Sequence, residues 1–155
     1  MTRRITIALV AVTLVSVLAF AADNPLIGTW TMNAAKSKYP SGTAPQNQTL
    51  KYESIPQGIH HVTDGTSAEG KPTHNEWTAN FGGKDSAYQS NTSSTVQTVA
   101  LKQVNPRTTE VIRKQGGKVT STFILKVSPD GKLLSRTSKE ASRKKSATVA
   151  VYDRQ

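Results

Sequence analysis

The feature that most constrains this chain is its punctuation. Turn signals recur at Ile55-Pro56-Gln57-Gly58, Asp64-Gly65, Glu69-Gly70-Lys71-Pro72, Phe81-Gly82-Gly83-Lys84, Gln115-Gly116-Gly117-Lys118 and Ser128-Pro129-Asp130-Gly131-Lys132. Each supplies a glycine for positive φ, a proline for fixed φ, or an aspartate that caps its own turn. The runs between them are rich in Thr, Val, Ile, Tyr and Trp, residues that suit a pleated, half-buried surface. No long segment shows a helical period.

Alternation sharpens the reading. In residues 117–128, Val119, Phe123, Leu125 and Val127 share one face, and Lys118, Thr120, Thr122 and Lys126 share the other. A period of two predicts a strand with one buried side. Gly116-Gly117 predicts a tight primed turn that sets Lys114 opposite Val119 and Ile112 opposite Ser121. Pro129-Asp130-Gly131 predicts a three-residue loop with Leu133 opposite Val127. The expected strands are 26–33, 46–54, 58–64, 72–80, 95–104, 107–114, 118–128, 132–140 and 146–153. Residues 34–36 suit one turn of helix, and 82–94 a long polar loop with at most a short strand. About 8–10 sequential antiparallel strands make an up-and-down meander. Left open, it would expose two edges, so closure into an all-β barrel is expected.

The N-terminus reads differently. Arg3 and Arg4 precede an apolar run over 5–20, and Ala19-Phe20-Ala21 has the small-x-small pattern of a signal peptidase site. Residues 1–21 are expected to be a cleaved secretory signal, leaving one domain over 22–155 in the periplasm or outside the cell. Cysteine is absent. That excludes disulfide staples, Cys-ligated zinc, iron–sulfur clusters and a thiol nucleophile. Charge is uneven: residues 22–100 hold five Lys and Arg against six Asp and Glu, whereas 101–155 hold thirteen against four. A hydrated basic exterior is the plain meaning. The functional alternative is an envelope interaction protein whose surface around Arg136, Lys139 and Arg143-Lys144-Lys145 binds an acidic partner or polyanion.

Gly28-x-Trp30, on the first strand of a meander, resembles the G-x-W signature of lipocalin-type barrels. The resemblance extends through Asn33-Ala34-Ala35-Lys36-Ser37-Lys38-Tyr39, Gly70-Lys71-Pro72-Thr73-His74, Gly83-Lys84-Asp85, Ser128-Pro129-Asp130-Gly131-Lys132-Leu133 and Val149-Ala150-Val151-Tyr152 to small exported bacterial lipocalin-like proteins. It implies that Trp30 plugs the closed end of the barrel, that Gly28 lets the chain pass closely there, and that Arg154 packs over the indole. In related fatty-acid-binding barrels an Arg and a Tyr on late strands grip a carboxylate, which draws attention to Arg136 and Tyr152.

Chemistry is sparse. No serine lies in a Gly-x-Ser-x-Gly elbow, and there is no phosphate-cradling or dinucleotide glycine loop. Asp64, Glu69, Asp85 and Asp130 are read as turn formers, and Glu53, Glu76 and Glu110 as strand residues without a visible partner. A 58–64/72–80 hairpin would set His60 opposite Glu76 and Val62 opposite His74. His60, His74 and Glu76 would then share one face, either as metal ligands or, as preferred, a solvated polar face. No metal, cofactor or enzymatic activity is expected. Aromatics on different strands are the better lead. Tyr52, Trp77, Phe123 and Tyr152 would converge in a barrel, as core or as the wall of a ligand site. Arg136 is expected to point outward; inward, it would require an anion. The expected function is binding of a small apolar or amphipathic molecule in the lumen.

Overall fold

The computed structural model describes residues 24–40, 43–140 and 147–155. The expected signal peptide, and Arg143, Lys144 and Lys145 of the expected basic patch, lie outside the described residues. Ten antiparallel strands follow one another: β1 (Gly28–Met32), β2 (Asn47–Ile55), β3 (Gly58–Thr66), β4 (Pro72–Asn80), β5 (Ser86–Ser90), β6 (Gln97–Asn105), β7 (Thr108–Gln115), β8 (Lys118–Val127), β9 (Leu133–Glu140) and β10 (Thr148–Arg154). Each pairs with the next, and β10 returns to β1, closing the barrel. A single 3-10 turn over Ala34–Lys36 follows β1, with the Asn33 side chain accepting from the Lys36 amide. No described helix is long and apolar enough to cross a membrane.

The meander therefore has the expected strands, plus β5 inside the segment read as a polar loop. Local chemistry explains the joins. Gly116 and Gly117 take φ of 55° and 75°, the left-handed pair that a two-residue primed turn needs. The β2–β3 turn places Gln57 at φ 65° after Pro56, a position that glycine or asparagine would fill with less strain.

Two of the registers that differ from expectation matter for the lumen. A β-bulge between Arg113 and Lys114 keeps Lys114 opposite Val119 but sets Arg113, rather than Ile112, opposite Ser121. The extra residue turns Arg113 to the inner face. The β8–β9 connection is one residue longer than a three-residue loop. Ser128 donates its amide to the Leu133 carbonyl, so Val127 pairs with Leu134 rather than Leu133. A slip of one residue exchanges faces. Leu134 and Arg136 therefore share the inner face with Leu125 and Val127, and the expectation that Arg136 points outward is overturned.

The inner face carries the core: Trp30, Leu50, Tyr52, Ile59, Trp77, Ala79, Val99, Leu101, Leu125, Val127, Leu134, Ala150 and Tyr152 are buried. One end of the barrel is sealed by Trp30. Its indole Nε1 donates to the Leu26 carbonyl at 3.0 Å, and the Arg154 guanidinium lies 4.3 Å above the ring. Arg154 also donates to the carbonyls of Gly131, Ile27 and Pro25, tying the lead-in segment to the β8–β9 loop. Gly28 makes this possible. It sits at φ 138°, and a Cβ there would stand 2.7 Å from the Arg154 Nη1.

Candidate functional site

The barrel interior is not completely filled. A cavity of about 240 Å³ is lined by Tyr52, His61, Trp77, Tyr88, Phe123 and both inward guanidinium groups, Arg113 and Arg136, among others. A second depression, of about 390 Å³, shares Gln48, Asn75 and Arg136 with it and adds Tyr39, Ser67, Glu69 and Thr92. These residues belong to the end of the barrel opposite Trp30, where the β3–β4 and β5–β6 connections lie. Arg136 and Gln48 thus stand between lumen and mouth.

The aromatic wall comes from alternation on neighbouring strands. Tyr52 on β2 faces His61 on β3, and His61 faces Trp77 on β4. The Tyr52 and His61 rings stack at 4.3 Å, and His61 and Trp77 are 4.9 Å apart. Phe123 is only partly buried and takes both guanidinium groups against its ring, Arg113 at 5.5 Å and Arg136 at 5.8 Å. Of the expected ligand-site residues, Tyr52, Trp77, Phe123 and Arg136 line the cavity together. Tyr152 does not line it. It is fully buried behind Gln48, to whose Oε1 its hydroxyl donates at 2.6 Å.

Gln48 organises this pole. The same Oε1 accepts from Arg136 Nη2 at 2.8 Å. A neutral amide oxygen therefore receives both a guanidinium and a phenol, a place where a negative oxygen would bind more strongly. Burial pushes the Tyr52 and Tyr152 phenols well above their usual range, with Arg136 pulling them part of the way back. Both are neutral donors at ordinary pH. Among the described residues, neither Arg136 nor Arg113 forms an ion pair with a carboxylate. Gln48, Arg113 and His61 escaped the sequence reading. Arg113 depends on a bulge, and Gln48 on which strands become neighbours after closure.

His61 is the buried imidazole of the wall. Its Nδ1 lies 3.1 Å from the Lys51 carbonyl and must donate there; its Nε2, 2.7 Å from Thr63 Oγ1, then accepts from the hydroxyl. Burial first, and the Arg136 charge second, lower its pKa from 6.5 to about 3. A hydroxyl beside an oriented imidazole has the outline of a nucleophile and its base. So weak a base cannot take that proton efficiently near neutral pH.

The outer face of the same strands carries the other two histidines. The β3–β4 register is shifted by two residues from expectation: His60 pairs with Thr78, Val62 with Glu76 and Asp64 with His74. A shift of two preserves the face, so His60, His74 and Glu76 do cluster. Glu53 and Glu76, read as partnerless, both engage His60, at Nδ1 (3.0 Å) and Nε2 (2.9 Å). Asp64 lies within β3 rather than in a turn and accepts from His74 Nδ1 at 2.7 Å. With a carboxylate at each nitrogen, His60 must carry both protons, and the Glu76 and Glu53 bonds raise its pKa. A metal at His60 would have to displace a proton that each carboxylate holds in place. Among the described residues no group of three or more His, Asp or Glu is arranged to hold one.

Compared with known proteins, the chain matches no family model, and no curated protein matches it.

Proposed function

We propose that this protein is an exported, lipocalin-like binding barrel whose lumen takes a small amphipathic acid. The observation that carries the reading is Arg136. It is a guanidinium inside the barrel whose hydrogen-bond partner is a neutral amide. An uncompensated buried charge costs several kcal/mol. A carboxylate or comparable anion on a ligand would supply the missing charge. Tyr52, Trp77, Tyr88 and Phe123 supply the apolar wall for the rest of the molecule. The Gly28, Trp30 and Arg154 arrangement at the sealed end supports the lipocalin-like reading. The protonation state of His61 favours binding over catalysis. Export rests on residues 1–21 acting as a signal. The alternative of a basic docking surface loses Arg136, which points inward.

Titration of small aliphatic and aromatic acids against their neutral amides, followed by tryptophan fluorescence, tests the proposal. Trp77 lines the cavity and reports occupancy. The acids should bind and the amides should not. Arg136→Met should weaken acid binding at least about thirtyfold, while the unliganded variant should be no less stable than the parent. Equal binding of acids and amides, or no binding of either, would refute the reading.

A further inference from the structure

Two buried side-chain atoms among the described residues have no hydrogen-bond partner: Arg113 Nε and Ser121 Oγ. They are not scattered. Arg113 and Ser121 are cross-strand partners on β7 and β8, brought opposite each other by the bulge. Ser121 is 2% exposed, and Arg113 lines the cavity. The Arg113 guanidinium is held in place by Tyr88, donating through Nη1 to its hydroxyl at 3.1 Å and lying 5.2 Å from its ring. Its Nε is left over. Arg136 reaches the same Phe123 ring from β9, but its hydrogen bond runs to Gln48. The lumen therefore has two polar poles on either hand of one phenyl ring, each with a cation and each lacking an anion.

Resting on the acid-binding reading above, we propose that the second pole is a binding site of its own. The ligand is then a compact molecule with two separated acidic or acceptor groups, one at Arg136 and one at Arg113, the two guanidinium groups that line the cavity. Arg113 has no carboxylate partner among the described residues, so a second ligand oxygen there gains a charge-assisted hydrogen bond. Cavity size limits the rest of the molecule. About 240 Å³ is the liquid volume of roughly eight waters, below the usual span of ligand pockets. That fits a short diacid or a hydroxy acid, and excludes a long acyl chain.

The test is calorimetric titration of the dicarboxylates from succinate through suberate, beside the monocarboxylates from butyrate through octanoate. The length series finds the separation of the poles. At the best length the diacid should bind about tenfold tighter than its monoacid. Arg113→Met should cost the diacid about tenfold more than it costs the monoacid. If diacids show no advantage at any length, or if Arg113→Met weakens the two series alike, the second pole holds only water and the inference fails. If neither series binds the parent protein, the acid-binding reading itself fails.

Discussion

His60 and His61 are adjacent in the chain and opposite in everything else. His60 faces out of β3, carries both ring protons and is clasped by two carboxylates. His61 faces in, is neutral, and lies between Tyr52 and Trp77. A single peptide unit separates a hydrated ion cluster from an aromatic wall. The lesson is that a barrel strand is two surfaces, and identity along the chain says little until the register assigns each residue to one of them.

Substitutions on the two walls should separate them by size. Trp30→Ala on the inner face should cost about 3–5 kcal/mol, because it opens a void that the closed strands cannot collapse around; urea denaturation measures it. The next effect is a pH slope. His61 has a folded pKa depressed to about 3 from 6.5. The stability it contributes is complete above pH 6.5 and falls as acid protonates the unfolded chain first. Between pH 6.5 and 4.5 the loss from His61 alone should amount to about 2–3 kcal/mol. In His61→Phe that slope should vanish, whatever its offset; a parallel slope in the variant would show that the wall histidine is not its source.

The smallest effect belongs outside. The His60 and His74 pKa values are raised, by Glu76 and Glu53 and by Asp64 and Glu76 respectively. Their contribution is full below pH 6.5 and is lost as pH rises through the raised values, the opposite sign to His61. His60→Gln should flatten only this alkaline limb, leave the slope between pH 6.5 and 4.5 intact, and be hard to detect in strong salt, where exposed ion pairs are screened. An alkaline limb unchanged in His60→Gln would mean that the outer cluster contributes nothing to folding.

Turn chemistry and alternation made the meander legible in the sequence, because those signals are local; closure followed from its exposed edges, and the sealed end only from the resemblance that Gly28-x-Trp30 carries. Gly116-Gly117 names its own turn, and Gly28-x-Trp30 announces a crowded strand. The lumen was only half legible. Tyr52, Trp77 and Phe123 follow from alternation, but Arg136 faces inward because one loop pairs one residue later than its Pro-Asp-Gly core suggests. Arg113 enters through a bulge that no residue type marks. Gln48 gains its role from Arg136 and Tyr152, 88 and 104 residues away in sequence, and only closure brings them together.

That closure has a consequence in time. Seven of the nine consecutive joins are described throughout and link near neighbours in sequence, so those hairpins can form early and independently. The β1–β10 seam differs: Arg154 finds the Ile27 carbonyl across 127 residues of chain. Until that clasp shuts, the aromatic wall is wet and both inward guanidinium groups keep their hydration shells. Closing the seam therefore completes the enclosure that removes water from the two cations, and anything that binds only the closed barrel would hold the seam shut.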